Sequence, residues 1–183
     1  MDYKSLAKSL YPIASGAIHP QLNGIYHTNG TMVASNSKIL VSVKFKEYPE
    51  TFEGLCIGRN SESITELHGD YPGYESLFTK NVAKNSSSKT SEYIFAACYL
   101  LFARDPDAAL QFDDISLRPS DIIKVMECIY LNFQESTQIL FGSATTPVQI
   151  KSKSVTAFIM PLIDVLDYYT PEEVFNLYSL KND

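Results

Sequence analysis

Histidines, cysteines and paired carboxylates are the residues of this 183-residue chain that could carry out catalysis or bind a metal ion. The histidines and cysteines are scattered along the sequence, as His19, His27, His68, Cys56, Cys98 and Cys128. None has the spacing of a metal-ligand set, and no glycine-rich phosphate loop or nucleophile elbow is present. The adjacent pairs Asp113-Asp114 and Glu172-Glu173 fit a loop and a helix N-terminus better than an acid/base couple. Distant residues can converge in a fold, so an enzyme stays an alternative. The sequence favours a non-enzymatic protein, and we expect no cofactor and no metal.

Composition and charge describe a globular protein. Hydrophobic residues make up 45% of the chain and charged residues 20%, and the net charge is −6, which argues against a surface that binds nucleic acid everywhere. The odd number of cysteines fits buried thiols in a reducing compartment. The longest apolar run, residues 93–103, is too short to cross a membrane, which takes about twenty residues. We therefore expect a soluble, cytoplasmic protein without a membrane partner.

The first half of the sequence predicts one helix followed by antiparallel strands. Residues 2–11 have helical apolar spacing, with Asp2 as a cap and Pro12 at the helix end. Strands are predicted at 22–28, 31–35 and 38–45, and the first two are joined by Asn29-Gly30, a strong hairpin signal. A short strand is possible at 55–57, and the polar stretch 82–91 is the best module boundary.

The second half repeats this order. A helix is predicted from Arg118 to about Leu131, and three strand-like runs follow at 137–142, 147–150 and 155–160. Periodicity leaves residues 92–104 open between a helix and a strand, because nearly every position is apolar. The predicted fold class is α+β, as a single domain over 1–163 with module one at 1–81 and module two at 92–163. A C-terminal helical tail (164–183) follows, starting at Thr170-Pro171.

Three strings in this order resemble the bacterial sliding clamp, the beta subunit of the replicative DNA polymerase. The first is H-P-Q-L-N-G-I-Y (19–26) with V-A-S-N-S-K-I-L (33–40), similar to the clamp pattern that ends in V-A-T-D-G-H-R-L. The second, G-D-Y-P-G-Y-E-S-L-F (69–78), resembles the clamp's G-x-F/Y-P-D-Y-x-x-L-I/L-P linker. The third, P-V-Q-I followed by A-F-I-M-P-L (157–162), is similar to the clamp's closing Y-x-V-M-P-M-R-L. The resemblance implies a single diverged domain of the DNA-clamp fold.

A clamp is a non-enzymatic processivity factor whose helices present basic residues to double-stranded DNA without reading its bases. The resemblance implies that the DNA-facing residues here are Lys4, Lys8, Arg118 and Lys124. The alternative for each is an ordinary solvated side chain on an amphipathic helix.

Clamp partners, such as polymerases and other replication proteins, dock short peptides into an apolar groove. The positions that match this groove are Ser35, Leu40, Pro72, Leu77, Phe158, Met160, Pro161 and Leu162. For Phe158 and Leu40 a plain core role is at least as good an interpretation. The tail string F-N-L-Y-S-L (175–180) has the content of a clamp-binding peptide, so it could occupy this groove or a neighbour's. The alternative is a helix packed on the sheet.

The departures from the clamp pattern leave the function open. The string T-D-G-H-R becomes S-N-S-K-I (35–39), and about twenty residues follow Met160-Pro161. A clamp protomer has three domains and closes a ring as a dimer, whereas one domain is predicted here. Either several copies form a homo-oligomer that encloses DNA, or the chain is a protein-interaction module that reuses the clamp fold without binding DNA.

Overall fold

The described residues form a nine-stranded antiparallel sheet with helices packed on one face. The computed structural model describes residues 2–14, 19–59, 64–74, 85–86, 90–163 and 165–179. The helices are α1 (Tyr3–Ala14), α2 (Ser91–Arg104), α3 (Pro119–Asn132) and α4 (Pro171–Ser179). The strands of the main sheet are β1 (Gly24–Thr28), β2 (Thr31–Ser35), β3 (Ile39–Lys44), β4 (Cys56–Arg59), β5 (Ile64–Leu67), β6 (Asn85–Ser86), β9 (Gln138–Phe141), β10 (Val148–Lys151) and β11 (Val155–Ile159). The α+β prediction is confirmed.

The order of the strands joins the two halves of the chain side by side. It runs β5-β4-β1-β2-β3-β11-β10-β9-β6, so that β3 of the first half pairs with β11 of the second. That pairing extends over five residue pairs, from Ile39 opposite Ile159 to Val43 opposite Val155. Because every inner-face side chain along it is apolar, the two halves share one core.

A second, three-stranded sheet lies beside the first. It contains β7 (Ala109–Phe112), β8 (Ile115–Leu117) and β12 (Tyr168–Tyr169), with β7 in the middle. The hairpin of β7 and β8 was missed by the sequence analysis, in which the acidic pair of its turn was interpreted as a plain loop. Asp113 adopts a left-handed φ of 52°, which Asp tolerates in hairpin turns.

Most other sequence predictions of elements are confirmed within one to three residues. Asn29 and Gly30 both have positive φ, 47° and 71°, as the two-residue hairpin turn requires. The ambiguous stretch 92–104 is a helix, capped by Thr90, whose side chain accepts a hydrogen bond from Tyr93 N at 3.2 Å. Residues 55–57 overlap β4. The predicted boundary at 82–91 falls largely outside the described residues.

The predicted end of the first helix is wrong. Pro12 lies inside the last turn of α1, which continues to Ala14. Proline lacks the N–H that would bond to Lys8 O, and it disfavours helical backbone at the residue before it. Ile13 and Ala14 are both fully buried, and we infer that this burial offsets the lost hydrogen bond.

The helices form a layer that contacts the inner face of the main sheet through α1 and α3. Helix α1 packs on β1, β2 and β3, α3 packs on β11, and the two helices contact each other. Helix α2 packs on α3 and on α4, so it lies further from the central strands. Two side-chain pairs link α2 to α3: Tyr99 donates to Glu127, and Tyr130 donates to Glu92 at 3.2 Å.

A buried histidine ties α1 to the sheet. His27 on β1 has no exposed surface, and its Nε2 lies 3.3 Å from the hydroxyl of Tyr3, which can donate to it. Its Nδ1 lies 3.4 Å from Leu55 O, an acceptor, so the ring fits as the neutral Nδ1–H tautomer. The rings of Tyr48 and Phe52 pack against it at 5.0 and 5.4 Å. Burial lowers the pKa of His27 below its usual 6.5.

We predict that the free energy of unfolding falls between pH 7 and pH 5, before most carboxyl groups titrate. Below about pH 6.5 the unfolded chain protonates at His27 and the folded chain does not, until the pH reaches the lowered native pKa. The slope can reach about 1.4 kcal/mol per pH unit. Urea unfolding at a series of pH values measures it. His27→Gln should flatten the dependence and the exposed-site control His19→Gln should keep it; an unchanged slope in His27→Gln would contradict the assignment.

Candidate functional site

A small apolar cluster lies on the outer face of the main sheet, away from the helices. Val33, Leu40 and Phe158 form its buried floor, from β2, β3 and β11. Tyr26, Tyr71 and Tyr74 pack against this floor, and the ring of Tyr71 stacks on that of Tyr26 at 4.8 Å with 6° between their planes. Elsewhere this face carries polar side chains by register, such as Ser42, Thr156 and Gln149. An apolar cluster on an otherwise polar face needs either a permanent cover or a ligand.

A cavity of about 540 Å3 opens beside this cluster. Its size is within the usual range for ligand sites, about 300–1,000 Å3. The wall is mostly aliphatic and aromatic, with a few polar groups at the rim. It is lined by His19, Gln21, Leu22, Ser35, Ser37, Lys38, Ile39, Leu40, Asp70, Tyr71, Pro72, Gly73, Tyr74, Pro147, Phe158 and Met160.

Backbone hydrogen bonds fix one side of the cavity. In the turn between β2 and β3, Asn36 Oδ1 accepts from Lys38 N at 3.1 Å and from Ile39 N at 2.9 Å. The hydroxyl of Ser35 donates to Ile39 O at 2.8 Å. Met160 N, just after β11, donates to Lys38 O at 2.8 Å. The turn and the end of β11 therefore hold each other in place without a ligand.

Five of the eight predicted groove residues line this one cavity: Ser35, Leu40, Pro72, Phe158 and Met160. They come from three separate strings of the sequence. Leu40 and Phe158 are almost fully buried and form its floor, whereas the side chain of Met160 is 43% exposed at its rim.

The other three predicted groove residues have different positions. Pro161 and Leu162 are not among the lining residues, and Leu162 N donates to Ser116 O on β8 at 2.8 Å. That hydrogen bond directs the chain after Met160 away from the cavity and onto the second sheet. Leu77 lies outside the described residues.

Sequence reasoning missed several lining residues that belong to the quoted strings. His19 and Gln21 come from the first string, Asp70 and Tyr71 from the second, and Pro147 from the third. Adjacency within the strings was the signal available, but it does not tell which side chains face a cavity. The Tyr71 hydroxyl is buried without a hydrogen-bond partner among the described residues, and burial raises the pKa of Tyr71 far above its usual value of 10.

Of the four predicted DNA-facing residues, two lie on α1, one lies on α3 and one is the N-cap residue of α3. Lys8 and Lys124 line a second cavity, of about 370 Å3, between these two helices. Lys4 is exposed one turn before Lys8, and Arg118 is the N-cap residue of α3. Glu127 lines the same cavity, so the surface between the two helices carries both signs of charge.

The C-terminal helix packs on α2 and leaves the outer-face cavity open. Tyr178 donates to Leu100 O at 2.7 Å, and the ring of Phe175 lies 4.6 Å from that of Tyr93. A capping box starts the helix as predicted, with Glu173 N donating to Thr170 Oγ1 at 3.3 Å and Thr170 N donating to Glu173 at 2.8 Å. The described part of the F-N-L-Y-S-L string lies on another helix, neither in its own groove nor on the main sheet.

No metal centre or activated thiol is found among the described residues. No cluster of three His, Cys, Asp or Glu side chains suited to a metal ion occurs in those ranges. All three cysteines are buried free thiols, and burial raises the pKa of Cys56 to about 12 and of Cys128 to about 11. A thiol with a raised pKa is a poor nucleophile at neutral pH.

Comparison with solved structures identifies the fold. A Helicobacter pylori beta clamp in complex with diflunisal matches with a TM-score of 0.61 at 11% sequence identity, over 88% of this chain and 64% of that one. The DNA polymerase III beta subunit of Borrelia burgdorferi matches with a TM-score of 0.63 at 15% identity, over 90% of this chain and 63% of that one. The beta subunit from DNA polymerase of Streptococcus pyogenes matches with a TM-score of 0.59 at 15% identity, over 87% of this chain and 63% of that one. This chain therefore has the fold of the bacterial sliding clamps.

The likeness is one of structure only. No family model and no curated protein matches the sequence. The chain spans less than two thirds of the length of the clamp chains that it matches. No helix in the described ranges is long and apolar enough to span a membrane.

The placement of the C-terminal helix makes Val174, which is 1% exposed, a core residue. We predict that Val174→Ala lowers the free energy of unfolding by about 2 kcal/mol through lost burial and a residual cavity. The neighbouring exposed-site variant Asn176→Ala should change it by less than about 0.5 kcal/mol. Urea unfolding measures both. A Val174→Ala protein as stable as wild type would contradict this packing. A gain in its affinity for peptides at the outer-face cavity would also contradict it, because that gain is expected only if the tail covers the cavity.

Proposed function

We propose that this chain is a non-enzymatic DNA-replication accessory of the clamp fold that docks partner peptides in the outer-face cavity. The observation that carries the proposal is the convergence of the three clamp-like strings on one open apolar cavity. The match of one turn or one strand could arise from the fold alone. Their joint lining of a cavity beside an apolar cluster is what a peptide anchor requires.

The chemistry of the wall suits an apolar peptide side chain. Leu22, Leu40 and Phe158 offer a preformed floor, and Met160 offers a flexible, polarisable rim that adapts to different anchors. Because hydrogen bonds hold the side of the wall formed by the β2–β3 turn and Met160, a ligand loses little energy in ordering that side. One of the matching structures is a Helicobacter pylori beta clamp bound to a DNA ligase peptide, which supports short peptides of polymerases or other replication proteins as the partner class.

Holding double-stranded DNA is a second candidate function. It is favoured by the convergence of Lys8 and Lys124 on one surface between α1 and α3, with Lys4 one turn away. Such contacts would be non-specific and sensitive to salt. Enclosing a duplex would take several copies of this chain, so this candidate includes a homo-oligomer.

A protein-interaction module that does not bind DNA is the alternative. Three exposed apolar side chains of the helix layer favour it: Tyr99 and Phe102 on α2, each 41% exposed, and Leu131 on α3, 76% exposed. Side chains of this type suit a protein partner better than a phosphate backbone. Glu127 accepts a hydrogen bond from Tyr99, and Glu92 of α2 accepts one from Tyr130 of α3. These two acids lower the attraction of α2 and α3 for DNA.

Met160→Glu is predicted to weaken peptide binding at least tenfold, because it places a charge at the rim of an apolar cavity. The matched control is Ile163→Glu, whose side chain is 76% exposed and does not line the cavity. Dodecapeptides selected from a random phage-displayed library against the wild-type protein serve as probes, and fluorescence anisotropy measures their affinity. Selection of no peptide would contradict the proposal, and so would peptides that bind Met160→Glu as tightly as wild type.

DNA binding is tested with a fluorescent 30-base-pair duplex over a salt series. If the second candidate is right, the double variant Lys8→Glu/Lys124→Glu should lose most affinity for DNA and flatten the dependence on salt. The matched control is Lys44→Glu/Lys46→Glu, which changes two exposed lysines near the β1–β2 hairpin. Equal affinities of the two double variants, or no binding by wild type at about 50 mM salt, would favour the interaction module instead.

A further inference from the structure

The described part of the rim of the outer-face cavity carries one lysine and one aspartate. Lys38 and Asp70 are the only Lys, Arg, Asp or Glu residues among the described lining residues. Both residues are exposed, and neither side chain forms a hydrogen bond or an ion pair within the described part of the chain. The cavity is therefore apolar inside and bears two opposite charges at its edge.

These two charges belong to different segments of the cavity wall, one beside β1 and the other at the β2–β3 turn. Asp70 begins the segment 70–74 whose Tyr71 covers Tyr26 on β1. Lys38 lies in the turn between β2 and β3, and its carbonyl is bonded to Met160 after β11. In the sheet β2 separates β1 from β3. Two strand spacings amount to about 10 Å, which equals roughly three residues of an extended peptide.

We propose, on the basis of the proposed function, that the partner peptide is bipolar. It carries an acidic residue that faces Lys38 and a basic residue that faces Asp70, roughly three residues apart, with the apolar anchor between them. The two charges set the direction in which the peptide crosses the cavity. A peptide with the same anchor and the two charges exchanged meets like charges at both ends.

The role of these charges is selection rather than tight binding. Rim charges remain solvated, so each attractive pair adds little affinity, whereas a like-charge contact disfavours the wrong partner. Lys38 also acts over a longer range on Asp121, the buried acid of α3: burial raises the pKa of Asp121, and the charges of Arg118, Lys124 and Lys38 partly oppose this. No ion pair among the described residues takes Lys38 away from the rim.

The experiment compares three versions of the tightest selected peptide. All three share the apolar anchor. The first has Glu and Lys on the two sides of the anchor, the second has these two residues exchanged, and the third has Gln at both positions. Wild type should prefer one charged orientation over the other by about tenfold at low salt. The double variant Lys38→Glu/Asp70→Lys should prefer the opposite orientation, and 0.5 M salt should remove both preferences.

The control is Lys46→Glu/Asp114→Lys, which reverses two exposed charges that do not line the cavity and should keep the wild-type preference. Equal binding of both charged orientations, together with binding of the Gln peptide, would overturn this inference and leave the proposed function standing. An orientation preference that Lys38→Glu/Asp70→Lys does not reverse would overturn it as well. Binding of none of the three peptides would overturn the proposed function and, with it, the inference.

Discussion

The pairing of β3 with β11 is the interaction on which the rest of the structure depends. It is the contact through which the strands of the two halves become one sheet. On the inner face it completes the apolar surface on which α1 and α3 pack. On the outer face it sets Leu40 beside Phe158. A slip of β11 by one residue would turn Phe158 to the helix side and remove it from the floor of the cavity.

The different cover of the two faces of the sheet supports the proposal that the cavity is a site and not a packing defect. On the inner face α1 packs on β1, β2 and β3 and α3 packs on β11, and the apolar residues of these strands belong to the core, so the fold accounts for them. On the outer face the cluster of Val33, Leu40 and Phe158 is covered, among the described residues, on one side by Tyr71 and Tyr74. The open side faces Met160 and the turn that contains Lys38. Apolar surface left open in this way lowers stability unless a partner buries it.

Local signals in the sequence were enough to predict most helices and strands, but they do not determine how these elements pack together. Asn29-Gly30 requires two positive φ angles, and Thr170 to Glu173 satisfies the free N–H groups of a helix start, so each of these strings defines its structure alone. Residues 92–104 carried no such signal, because a helix packed against α3 on one side and α4 on another is apolar nearly all round. The β7–β8 turn has a local sequence signal in Asp113-Asp114, but an Asp-Asp pair is a much weaker turn signal than Asn-Gly.

The three strings that resemble the clamp pattern contain residues that line the cavity. The positions where this sequence departs from that pattern show which side-chain roles the fold needs. Where the clamp pattern has an acidic turn residue, Asn36 accepts two backbone N–H bonds with its side-chain oxygen, so the turn is kept although the charge is lost. After Met160 the chain is drawn to the second sheet by the Leu162–Ser116 hydrogen bond and continues into β12 and α4. The side of the wall formed by the turn and Met160 is thus held by hydrogen bonds to the main chain, which leaves its exposed side chains free to vary. If the cavity docks a peptide as proposed, substitutions at Lys38 or Asp70 change the preferred partner without disturbing the pairing of β3 and β11.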